Sequence, residues 1–210
     1  MPSLLTAPSP LVSKPVYGLV ASSDRLRSLL LPESVLEHPY EVLDYDGVLT
    51  LHDHKGLKAT FKRRERVRFL QDGVGGMLEH LWGDGITVGF SNNAGMIGDT
   101  IRDAKARHLI VELKRSMAKG EELEFAVKRI NMVGFTKSRE WLETVVDHPI
   151  SKLTRSVVFP SSRPCQEATL SWGGQAIALP IETLPDGRTL VRFRIARPQM
   201  NTSYLLNWSW

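Results

Sequence analysis

Apolar and polar residues alternate along most of this chain with a period of two. That is the spacing of an extended strand with one face toward a core and the other toward water. From Leu57 to Leu70 the alternation puts Phe61, Val67 and Phe69 on one face and Lys62, Arg64, Arg66 and Arg68 on the other, with Lys58 in line. Arg63 and Glu65 fall on the apolar side, where they need charged partners. Further strand-like runs occupy Glu41–Leu51, Ile86–Phe90, His108–Ser116, Glu122–Val133, Trp141–Val146, Lys152–Phe159, Glu167–Trp172, Leu190–Ile195 and Tyr204–Trp210. His108–Ser116 and Glu122–Val133 read as one hairpin, closed by Met117–Gly120. Trp141–Val146 and Lys152–Phe159 read as a second, turning at Asp147, His148 and Pro149.

Turn chemistry punctuates these runs. Asp-Gly occurs at Asp46-Gly47, Asp72-Gly73, Asp84-Gly85 and Asp186-Gly187, and Lys55-Gly56, Lys119-Gly120 and Gly173-Gly174 add further reversals. Asp and Gly tolerate the positive φ angles that tight turns need. Helical spacing is scarce. A short helix is expected over Asp24–Leu31, capped by Ser22 or Ser23 and stopped by Pro32, and another over Thr100–Arg107. Arg139–Val146 fits either period and is read as a strand. The pattern therefore predicts an all-β protein, an antiparallel β-sandwich or barrel-like fold with one or two short helices. Residues 1–16 read as a disordered Pro/Ser leader and residues 17–210 as a single β-rich domain, with a possible internal boundary near 160–165, where Phe159-Pro160 to Pro164 punctuate the chain.

Composition changes this picture little. The 210 residues are 42% hydrophobic and 24% charged, the proportions of an ordinary folded chain. No run approaches the length of a membrane helix, and the N-terminal segment lacks the pattern of a signal peptide. The single cysteine, Cys165, leaves no internal disulfide. These features predict a cytoplasmic protein in a bacterium-like cell, without membrane association and without a cofactor. The net charge of +4 is too small to argue for nucleic acid by itself, so the distribution of charge must decide.

The basic row Lys58, Lys62, Arg64, Arg66 and Arg68 is the predicted binding face. Same-face neighbours on a strand repeat every ~6.7 Å, close to the phosphate spacing of a nucleic-acid strand, and a row of guanidiniums also suits an acidic protein. No aromatic residue interrupts the row, so base stacking has no platform. The dull alternative is a wet sheet face balanced by Glu41, Asp44 and Asp46. His52, His54 and His80 would serve a metal-dependent hydrolase if their loops met, but no His-Glu-x-x-His spacing and no cysteine pair occurs. The stretch Gly89–Thr100 is glycine-rich, lacks the Gly-Lys-Ser/Thr ending of a P-loop and reads as a mobile connection. Cys165 has no neighbouring histidine in sequence, and Glu121 and Glu122 are placed to balance Lys114 and Arg115. No catalytic residue and no metal ligand is assigned. The expected function is a non-enzymatic interaction or regulatory module that docks a protein partner through a charged sheet face. Nucleic-acid binding by strand 58–68 is the alternative, and metal-dependent hydrolysis a more distant one. The oligomeric state is not encoded in any of these signals.

Overall fold

The structure is a computed structural model that describes residues 38–83, 85–102 and 107–210. The leader at 1–16, the expected helix at 24–31, Asp84 and residues 103–106 lie outside them. The described chain is all-β, with no helix among the described residues. No helix there is long and apolar enough to cross a membrane.

The strands, in chain order, are β1 (Tyr40–Leu51), β2 (Lys58–Phe69), β3 (Val74–Leu81), β4 (Ile86–Asn92), β5 (Gly95–Arg102), β6 (Arg107–Met117), β7 (Glu122–Met132), β8 (Arg139–Val146), β9 (Lys152–Phe159), β10 (Glu167–Trp172), β11 (Gln175–Ala178), β12 (Ile181–Thr183), β13 (Thr189–Ala196) and β14 (Thr202–Ser209). They form a seven-stranded sheet ordered β12-β13-β9-β1-β2-β7-β4, a four-stranded sheet β11-β10-β14-β8 and a three-stranded sheet β3-β6-β5. All pairings between these strands are antiparallel except β1 with β9, which run parallel with Tyr45 opposite Leu153. Both smaller sheets pack on the same face of the large one. Phe159 of β9 meets Trp208 of β14, and Phe61 of β2 meets Trp82 just after β3.

Two expected hairpins are not formed. β6 pairs with β3 and β5, whereas β7 pairs with β2 and β4. The turn between β6 and β7 is instead tied to the end of β2: the amide of Gly120 donates to Phe69 O (2.8 Å) and that of Phe69 to Glu121 O (2.9 Å). The reversal thus carries the chain from one sheet to another. Likewise β8 pairs with β14 and β9 with β1 and β13, so Asp147-His148-Pro149 is a crossing between sheets. Gly89–Thr100 is not a loose connection but β4, a tight turn and β5. Asn92 Oδ1 accepts the amides of Ala94 and Gly95 across that turn, both at 2.9 Å. Positions 100–102, expected to begin a helix, belong to β5. Asp46-Gly47 is not a turn either. It lies in mid-β1, where the reason for the glycine is steric, as described below.

β2 alternates as predicted, with its row of cations exposed and Phe61, Val67 and Phe69 buried. In the expected strand Tyr204–Trp210 the alternate residues Tyr204, Leu206, Trp208 and Trp210 share one parity, and all four are buried. The proline-rich stretch at 160–165 joins the seven-stranded sheet to the four-stranded one. Arg163 anchors it by donating to the carbonyls of Trp210, His54 and Lys137 and by lying 4.0 Å over the Trp210 ring.

Candidate functional site

The alternation of β2 separates two chemistries. Its outer face carries Lys58, Lys62, Arg64, Arg66 and Arg68, all exposed. The register sets their surroundings. Arg68 lies between Glu41 and Glu122 and pairs with both at 3.3 Å. Arg66 stands between Asp44 and Glu124, and Asp44 in turn pairs with Lys152 at 3.1 Å. At the other end the balance changes. Lys62 faces Lys128 directly on β7 and Val48 on β1, and Arg64 faces Ala126 and Asp46. Like charges directly opposite each other destabilise a ladder. Lys62, Arg64 and Lys128 line a shallow depression of about 410 Å³ together with Asp46, Ser91 and Asn93. The predicted row is thus brought together on one surface, with its carboxylate partners concentrated at the Arg66–Arg68 end.

The inner face holds a buried ionic cluster. Arg63 pairs with Glu79 of β3 (2.6 Å) and with Glu65 (3.4 Å), and Arg129 of β7 lies 4.0 Å from Glu79. Glu79, Arg129 and Arg155 are essentially inaccessible. Burial opposes the charge on Arg63, but Glu65 and Glu79 more than offset it and its pKa is raised. Burial lowers Arg129 to about 10, so it stays a cation at neutral pH. Burial pushes the Glu65 carboxyl above the usual carboxylate range despite Arg63. Arg155 of β9 donates from Nε to Thr144 Oγ1 (2.9 Å) and from Nη1 to Tyr45 Oη (3.0 Å), and it forms no ion pair among the described residues. Its guanidinium lies 4.9 Å from the Phe61 ring centroid and 5.4 Å from that of Tyr45. Gly47 makes this placement possible, because a Cβ there would come within 2.5 Å of Arg155 Nη1.

A cavity of about 710 Å³ adjoins this cluster. Arg155, Glu65, Tyr45, His148, Trp82 and the residues of β8 from Glu140 to Val145 are among those that line it. β8 is an edge strand of its sheet. His148 bonds Asp147 through Nδ1 at 2.5 Å, while its buried Nε2 has no hydrogen-bond partner among the described residues. Burial works against the imidazolium, but the Asp147 bond outweighs it and the His148 pKa is raised.

The remaining sequence candidates do not converge. His52 bonds Thr60 Oγ1 (2.8 Å), and His80 stacks on His108 with ring centroids 4.7 Å apart. Among the described residues no group of three His, Cys, Asp or Glu could hold a metal ion. Cys165 is buried, its thiol pushed up to about 11 by burial, and it donates to Glu167 O. Glu121 pairs with Arg115 at 2.7 Å, across the turn rather than across a ladder. Sequence reasoning missed Arg129, Arg155 and Glu79. The signal was present for the two arginines: Leu153, Arg155, Val157 and Phe159 share one parity, as do Phe125, Val127 and Arg129, so each arginine falls in the apolar phase of its strand.

No family model and no curated protein matches the sequence. Solved structures share the fold. An M1 zinc metallopeptidase from Deinococcus radiodurans aligns with a TM-score of 0.50 at 13% identity, covering 86% of this chain and 44% of that one. A variant of that enzyme bound to a Tyr-Ser-Ala substrate gives 0.51 at 13% identity, covering 86% and 45%. A candidate protease from Parabacteroides distasonis gives 0.53 at 10% identity, covering 82% and 40%. The chain spans less than half the length of these proteins, and at such identities the likeness is one of fold.

Proposed function

We propose that this chain is a non-enzymatic interaction module that docks an acidic protein partner through the outer face of its seven-stranded sheet. The observation that carries the reading is the juxtaposition of Lys62 and Lys128 on adjacent strands, beside Arg64 and a shallow depression. A ladder gains nothing from facing lysines, whereas an acidic surface laid across them gains several charge-assisted contacts. The Arg66–Arg68 end, interleaved with carboxylates, supplies register and orientation more than attraction. Zinc hydrolysis is not proposed. The likeness to metallopeptidases is one of fold over less than half of their length, and these 210 residues contain no His-Glu-x-x-His spacing.

Fluorescence anisotropy with a labelled acidic peptide and a labelled single-stranded oligonucleotide of equal charge tests this reading. The peptide is expected to bind the wild type and to be lost on Lys62→Glu with Arg64→Glu. Equal peptide affinity for wild type and double variant sinks the proposal. Preferential, steeply salt-dependent binding of the oligonucleotide would transfer the same face to a phosphate backbone instead.

A further inference from the structure

The cavity on the inner face has a chemistry that docking on the outer face does not use. Arg63 and Arg155 line it together with Glu65, and Arg129 and Glu79 belong to the ionic cluster that adjoins it. Arg63 and Arg129 share Glu79, and Arg63 also takes Glu65. Arg155 is left with two hydroxyl acceptors and the flanking rings, although only 1% of it is exposed. Aromatic faces offset part of the cost of burying a cation, but they do not neutralise it. A methionine or leucine would fill the same volume without that cost, so packing alone gives no reason for an arginine here. The glycine at position 47 clears the space that its Nη1 occupies.

We propose that this cavity binds a small organic carboxylate, with its anionic group on Arg155 and its apolar body against Trp82 and the inner face of β8. The planar fork of a guanidinium matches a carboxylate in two-point geometry. Arg155 is a lining guanidinium with no ion pair among the described residues, and the carboxylates Glu65, Glu140, Glu143 and Asp147 on the same cavity weigh against a dianion such as a phosphate monoester. His148, whose buried Nε2 has no hydrogen-bond partner among the described residues, also lines the cavity. Trp82, Phe135, Leu142 and Ile150 supply apolar wall, and about 710 Å³ lies within the range of small-ligand sites. The carboxylate has two possible sources: a free acid, or the C-terminus of a peptide lying along the edge of β8.

Calorimetry and tryptophan fluorescence on the full chain, with phenylpropanoate and its neutral amide as probes, test the site. The acid is expected to bind about tenfold or more tightly than the amide. That difference disappears in Arg155→Met and is weakened in Gly47→Ala, where the guanidinium is displaced. Equal binding of acid and amide, no binding of either at millimolar concentration, or unaltered acid affinity in Arg155→Met overturns the proposal. If Arg155→Met does not fold, Arg155→Lys decides: charge kept and fork lost should weaken the acid about tenfold, and unchanged affinity refutes the site. A tetrapeptide ending in phenylalanine, free or amidated at its C-terminus, separates the sources. Tighter binding of the free peptide than of phenylpropanoate assigns a peptide end, and the reverse order assigns a free acid.

Discussion

Arg64 and Arg63 are adjacent in sequence and opposite in circumstance. Arg64 projects into water from the outer face of β2, where its charge is screened and costs the fold little. Arg63 projects inward, is held by Glu79 and Glu65, and would be costly to leave alone. The same side chain is thus disposable for stability on one face and indispensable on the other. The difference comes from strand parity, not residue type.

The comparison can be broken most severely at Glu79. Glu79→Gln strips Arg63 and Arg129 of their shared carboxylate, and equilibrium urea unfolding should show a loss of about 3–5 kcal/mol. A loss below about 1 kcal/mol would mean that the inner arginines are satisfied otherwise. Asp53 comes next, because it fixes which residues turn inward. Its carboxylate accepts the amides of Lys55, Leu57 and Lys58 and closes the β1–β2 turn. A one-residue slip there would exchange the two faces of β2. Asp53→Ala should cost about 1–2 kcal/mol by the same measurement.

The Asp147–His148 pair gives a pH-dependent effect at the cavity wall. The carboxyl of Asp147 is lowered from 3.8 and the imidazole of His148 raised from 6.5. The stabilisation from the charged pair is therefore complete between those two ordinary values and fades as pH rises through the raised pKa of His148. Asp147→Asn should cost roughly 0.5–1 kcal/mol at pH near 6, allowing for the exposure of Asp147, and less at pH near 9. A pH-independent cost would show that the imidazole does not titrate in this range. The smallest effect belongs to the outer face: Arg64→Gln with Arg66→Gln should shift stability by no more than about 0.5 kcal/mol. A larger shift would place those side chains among the structural contacts.

The strands were legible where alternation was strict, as in β2 and β14, and the inward turn of Tyr204, Leu206, Trp208 and Trp210 followed from parity alone. Pairing was not legible. Turns at Lys119-Gly120 and Asp147-His148 reverse the chain just as hairpin turns do, and only the destination of the next strand separates a hairpin from a crossing between sheets. β3 and β5 escaped notice because glycines dilute their apolar pattern, and Asp46-Gly47 misled because a glycine kept for close packing resembles one kept for a turn. The outer basic row was visible from one strand. The inner cluster required β1, β2, β3, β7 and β9 together, which no local pattern encodes.

The parallel contact between β1 and β9 has a consequence for how the protein is made. Its partners are more than a hundred residues apart, so the centre of the large sheet closes only after β9 has been made. During synthesis β1 can pair early with β2 while its other edge waits, an open template for misassociation. The emergence of β9 from the ribosome is the event that ends this wait, and slow folding governed by distant pairing is built into the topology.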